Sequence, residues 1–135
     1  MSNLFTAFHV SASGMSAQRA RINATSSNIA NIQTTRGEDG GPYRRMDPVF
    51  ETVKMDDDVY GVEVAEVARD QEPGRQVFDP GHPDANEEGY VELPNINLVE
   101  EMVNMITAQR AYEANTSVID STKKMARAAL GIAEG

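Results

Sequence analysis

The chain has 135 residues, 6% aromatic and 40% hydrophobic side chains, no cysteine, no tryptophan and a formal net charge of −9. That length suits one domain, or two small lobes, around a modest core. So few large apolar side chains are a poor match to a compact enzyme, which must offset chain entropy by burial. The lack of cysteine excludes a disulfide framework and thiolate chemistry.

Charge divides the chain into three. Residues 1–37 carry Arg19, Arg21 and Arg36 and no acid, residues 38–94 have a net charge of −11, and residues 95–135 a net of −1. An acidic middle between weakly charged ends argues against nucleic acid as a partner, because phosphate contacts need clustered Lys and Arg. No apolar stretch approaches the roughly 20 residues that span a bilayer. The start, "MSNLFTAFHVSASGMS", lacks the basic leader and unbroken apolar core of a secretory signal. Export, if it occurs, is expected to use another route.

In chain order, residues 3–31 read as one helix. Phe8, Met15, Ile22 and Ile29 recur every seven residues, and Phe5, Ala12, Arg19 and Ser26 are expected to form the companion seam position. "SASGMSA" is weak helix chemistry, since Gly14 costs about 1 kcal/mol relative to Ala, but small residues admit a close neighbour. The stretch "NIANIQTTRG" ends this helix as an elbow, with Asn31 suited to a left-handed cap and Thr34 and Thr35 able to bond nearby backbone.

The middle changes period. "DPVFETVKM" and "GVEVAEV" alternate as strands, "GYVEL" is a shorter one, "DQEPGRQ" carries a Pro-Gly turn and "DPGHPDANEEG" an irregular loop. A small β region of three or four short strands is expected there. Residues 97–130 form the second helix, with Asn97 as N-cap, Asp120 paired with Lys124, and Gly131 as terminator. Leu98, Met105, Tyr112, Ile119 and Ala126 step by seven, with companions at Met102, Gln109, Thr116, Lys123 and Leu130. Both seams turn partly polar, which is weak for a free-standing coiled coil. They suit helices that pair with each other and with neighbouring subunits.

Catalytic and metal signatures are absent from the pattern. Asp56, Asp57 and Asp58 are adjacent, so their side chains diverge, and a solvated turn explains them better than a calcium loop. His9 and His82 stand apart without ligand spacing, and Ser13-Gly14 lacks the nucleophile elbow. No cofactor, metal or catalytic residue is expected. A soluble helical-hairpin adaptor or binding module is the alternative class.

"SGMSAQRARINATSSNIANIQTT" at 13–35 and "GYVELPNINLVEEMVNMITAQRAYEANTSVIDSTKKMARAAL" at 89–130 resemble the axial rod proteins of the bacterial flagellar basal body. "VFDPGHPDANEEGYVELPN" at 77–95 is typical of the proximal-rod branch of that family, and the family's Ala-Asn-x-x-Thr element falls on Ala30, Asn31 and Thr34. The resemblance implies a mostly α fold: terminal helices pair as a coiled-coil-like stem, with a short antiparallel β insert outside it. It implies three parts, a rod helix and elbow at 1–36, an acidic β-rich domain at 37–94 and a second rod helix at 95–135. The implied function is structural, in a drive shaft that carries motor torque through the periplasm. Implied partners are copies of the chain, other rod proteins and the flagellar type III export apparatus, with the basal-body ring and hook-side proteins contacted indirectly. Export is implied to use an uncleaved signal. The expected assembly residues are Phe8, Met15, Ile22, Ile29, Ala30, Asn31, Thr34, Leu98, Met105, Tyr112, Ile119 and Ala126.

Overall fold

The structure, a computed structural model, describes residues 2–134, with side chains from 3 to 132. Two long helices enclose two small antiparallel sheets in sequence: α1 (Ser2–Ala30), β1 (Met46–Asp56), β2 (Val59–Arg69), β3 (Arg75–Phe78), β4 (Tyr90–Leu93) and α2 (Leu98–Glu134). The fold is mostly α with a short antiparallel β insert. The helices lie antiparallel, with Asn28 against Glu101, Arg21 against Asn104 and Gly14 against Asn115.

Small and polar side chains run down the centre of the helix contact. Ser11 and Thr25 on α1 and Glu101, Ala108 and Thr122 on α2 are buried. Ala108 is fully covered, at 0% exposure. Gly14 is part of this line, because a Cβ there would stand 2.9 Å from Asn115 Nδ2. The larger apolar residues Phe8, Met15, Ile22, Ile29, Met105, Tyr112 and Ile119 are half-buried beside it. This corrects the expected companion positions. Phe5, Ala12, Arg19 and Ser26 are exposed, as are Met102, Gln109, Lys123 and Leu130. One residue earlier in each case, Leu4, Ser11, Gln18 and Thr25 and Glu101, Ala108, Asn115 and Thr122 are buried or half-buried. Close helix approach favours small side chains on the line of nearest contact, so bulk marks the flanks.

The β1–β2 hairpin lies along α1 on another side. Met46 bonds Asn28 at the elbow, and Val62 N–H donates to Ser13 Oγ (3.2 Å) about four helical turns away. Ala17 and Ala24 are buried, and Gly61 lets the strand approach, since a Cβ there would meet Ser13 Oγ at 2.8 Å. α1 is therefore the middle layer between α2 and the hairpin, which explains its shortage of charge.

The expected single β region is two separate two-stranded sheets. In the first, register shifts at Val49/Phe50 and Lys54/Asp56 twist the ladder. Its tip is the solvated turn expected at the three aspartates, with Asp58 at φ 58°. In the second, Arg75 to Phe78 pair with Leu93 to Tyr90, and Phe78 meets Tyr90 edge-on at 5.3 Å. Val91, Pro94 and Ile96 are buried beneath it.

Helix ends differ from expectation in two places. Asn97 caps α2 as expected, its Oδ1 accepting from Val99 N–H (3.0 Å) and Glu100 N–H (3.2 Å). Gly131, however, lies within α2, which runs on to Glu134. Asn31 is not left-handed, because Asp58 is the one non-glycine residue with positive φ among the described residues. Asp120 and Lys124 are exposed and form no ion pair. An exposed pair gains little and loses side-chain freedom.

Candidate assembly faces and the elbow that orients them

The elbow is built on two buried polar side chains that sequence reasoning missed. Asn28 and Glu101 are each 1% exposed. Asn28 acts as a substitute strand for Met46: its Nδ2 donates to Met46 O (2.9 Å) and its Oδ1 accepts from Met46 N–H (2.8 Å). The same Oδ1 accepts from the Tyr43 hydroxyl (2.9 Å), and Nδ2 also donates to Glu101 Oε2 (3.2 Å). The other Glu101 oxygen accepts from Arg45 Nε. All bonding groups of the amide and both carboxylate oxygens are thus engaged, as burial requires.

Arg45 completes a charge pair. Burial works against its charged form, but the hydrogen bond and charge of Glu101, with Asp47 and Asp70 nearby, outweigh it and hold the guanidinium above its ordinary value. One cluster ties together the last turn of α1, the start of β1 and the first turn of α2. Glu101 could have been suspected from its spacing, since it lies four residues before Met105 on the inward side.

Two of the residues expected to matter at the elbow extend this cluster. Asn31 Nδ2 donates to Ser27 O (2.8 Å), and Thr34 Oγ1 donates to Asn31 Oδ1 (3.0 Å). Ser27 Oγ lies 2.9 Å from the Tyr43 hydroxyl. Thr35 bonds across the chain rather than to nearby backbone: its hydroxyl donates to Asp84 Oδ2 (2.6 Å), and Arg36 pairs with the other oxygen. The Thr35 bond, then Arg36, holds the Asp84 carboxyl below its ordinary value. The loop between β3 and β4 is thereby pinned to the elbow.

The remaining expected residues fall into two groups. Phe8, Met15, Ile22, Ile29, Met105, Tyr112, Ile119 and Ala126 are half-buried along the stem. Ala30 and Leu98 are exposed. α2 opens with a larger unused surface: Val99 (68% exposed), Met102, Val103 and Ile106 share its outward face. At the other end Phe5, Met125, Leu130 and Ile132 (81% exposed) are uncovered. Burying such side chains is worth about 25 cal/mol per Å², so this much unspent apolar surface is suited to assembly.

A cleft of about 830 Å³ beside the elbow is polar, lined by Arg36, Arg44 and Arg69 together with Glu38 and Asp39. No helix among the described residues is long and apolar enough to cross a membrane.

Comparison with known proteins follows the same division of the chain. Residues 8–36 match the family model described as flagella basal body rod protein, and residues 87–132 match that of the flagellar basal body rod FlgEFG protein C-terminal region. The flagellar basal-body rod protein FlgC of Borreliella burgdorferi is 46% identical, over 98% of this chain and 99% of the relative. That of Aquifex aeolicus is 47% identical over 93% of each chain. That of Bacillus subtilis is 38% identical over 94% of this chain and 98% of its own. With relatives 38% to 47% identical over more than nine-tenths of its length, the chain belongs to the FlgC family of flagellar basal-body rod proteins.

Proposed function

We propose that this protein is a structural, non-enzymatic subunit of the proximal flagellar rod, which assembles with copies of itself and other axial proteins into a shaft that transmits motor torque. The observation that carries the reading is the stem. Its centre is closed by small and polar residues, while Val99, Met102, Val103, Ile106 and Ile132 remain exposed in the single chain. Neighbouring subunits are the natural cover for such faces.

In this reading α1 and α2 form a coiled-coil-like stem, supported by their antiparallel contact and seven-residue burial pattern. Residues 1–36, 37–94 and 95–135 act as rod helix with elbow, acidic outer domain and second rod helix. Phe8, Met15, Ile22, Ile29, Met105, Tyr112, Ile119 and Ala126 steady the stem and border neighbouring subunits, with Leu98 and Ala30 at the elbow end. Asn31 and Thr34 fix the angle at which the chain leaves α1. The chain leaves the cytoplasm through the flagellar type III export apparatus without a cleaved signal. A core made largely of Ala17, Ala24, Ala108, Val91 and Ile96 is thin enough for an unfolded passage.

In the bacterium that makes this protein, deletion of its gene should abolish swimming and leave basal bodies without a complete rod by electron microscopy. Rods of normal length in the deletion strain would overturn the function. The variant Val103→Asp should be exported yet fail to restore rods.

A further inference from the structure

The exposed residues of α1 are evenly spaced. Phe5, His9, Ala12, Ser16, Arg19, Asn23, Ser26 and Ala30 form one row at intervals of three and four. Beside the row stand the half-buried side chains of Met15, Ile22 and Ile29. α1 thus has a third face that neither α2 nor the hairpin covers: a floor of small residues with an apolar wall. The outward face of α2 has the opposite relief, with Met102, Val103 and Ile106 projecting from it.

We propose that these two faces dock on each other between two copies of this chain, α2 of one lying antiparallel to α1 of the next, with Ile106 seated at Ser26 and Glu113 meeting Arg19. The inference rests on the rod-subunit reading and supplies its partner and register. Charge and the length of α1 together select that register, because pairing Arg19 with the equally exposed Asp120 would carry Met102, Val103 and Ile106 past Ala30. Arg19 is the only charged residue in the α1 row, and it has no acidic partner among the described residues. Glu113, seven residues beyond Ile106, is exposed on the same face of α2 and also forms no ion pair among the described residues. Arg19 is seven residues before Ser26. Setting Ile106 on Ser26 in antiparallel fashion therefore brings the two charges together, and it sets Met102 and Val103 over Ala30 and Ile29. Ile106 and Met102 then meet the small Ser26 and Ala30, and Val103 meets the apolar wall at Ile29.

Because one copy offers α1 and the other α2, the contact is heterologous and can repeat from subunit to subunit. Antiparallel docking to an antiparallel stem leaves successive copies pointing the same way, as a rod of fixed polarity requires.

The absence of cysteine permits a direct test. Ser26→Cys and Ile106→Cys are introduced together into the full chain, which replaces the native gene, and isolated basal bodies are oxidised. A disulfide needs Cα atoms within about 7 Å, and one closed within a single subunit would leave only the monomer band. A ladder at multiples of 14.7 kDa, absent from either single variant, is expected. Rods that assemble without the ladder, or a link to a chain of another mass, overturn the proposal and leave the rod function standing. If the double-cysteine chain builds no rods, charge reversal decides. Arg19→Glu and Glu113→Arg should each reduce the swimming population at least tenfold, and the two together should restore most of it. A double variant no better than the singles overturns the docking. Rods that form without the gene at all would instead remove the function beneath it.

Discussion

The two ends of the stem are held by different chemistry. At the elbow, Asn28, Glu101, Arg45, Tyr43 and Met46 are joined by a continuous set of bonds among three segments. At the opposite end the helices meet through small residues such as Ser11 and Thr122, while Phe5, Met125, Leu130 and Ile132 stay uncovered. The comparison teaches that a polar network fastens one end of the stem, while the other leaves apolar side chains that a neighbour could cover and order. A stem stiff throughout would gain less from its neighbours, whereas one that tightens on contact couples ordering to assembly.

The gradient itself is the largest effect to look for. In isolated soluble protein, amide hydrogen exchange should show protection highest around 24–31 and 98–108 and fall towards 3–10 and 122–132, where local opening needs little free energy. Even, strong protection along 3–31 before assembly would remove the contrast. The next effect tests the anchor. Glu101→Ala leaves Arg45 with only the looser Asp47 contact (3.8 Å) and opens the junction, at a cost toward the lower end of about 3–5 kcal/mol because Arg45 retains that contact and some solvent. A thermal melt followed by circular dichroism that is unchanged by this substitution would show that the elbow is not the strong end.

Asn28→Ala is milder. It strips the Met46 N–H and C=O of their surrogate strand at a cost of about 1–3 kcal/mol. Denaturant unfolding should show the loss, with exchange rising first in β1 and not at the free end of the stem. The smallest effect is on pH. The folded-state value of Asp84 is lowered, so the stability it contributes is fully present above the ordinary carboxylate range and is lost as pH falls through the lowered value. Thr35 and Arg36 resonances should move in that acid window, and Asp84→Asn should abolish the movement while sparing the stem.

How much of this was legible follows from side-chain size. Phe8, Met15, Ile22 and Ile29 announced a helix, and Leu98, Met105, Tyr112 and Ile119 another, because bulk at regular spacing is easily seen. The same bulk misplaced the companion line by one residue. Ser11, Thr25, Ala108 and Thr122 sit where the helices come closest, and residues that small give no apolar signal. The third face of α1 was hidden for the same reason, since Ala12, Ser16 and Ser26 look alike whether buried or not. The elbow bonds were illegible in a different way. Asn28 was one amide among several, and nothing local marks it as partner to Glu101, 73 residues away. The Asn97 cap, the turn at the three aspartates and the strands β1, β2 and β4 were legible because their signals are local, whereas β3 was hidden in the segment read as a Pro-Gly turn. Gly131 and Asn31 failed because neighbouring helix geometry prevailed over the preference of one residue.

The central position of α1 has a consequence for the order of folding. The first segment of the chain is the middle layer, and its cover against α2 arrives only with the last segment, after the whole intervening domain. The contacts that close the subunit are therefore among the longest loops the chain can form, and loops of that kind set a slow folding rate. On the export route proposed above, a chain that enters a narrow conduit by its first residues would be spared from folding around them until its final helix has followed. Timing, as much as shape, is built into which layer comes first.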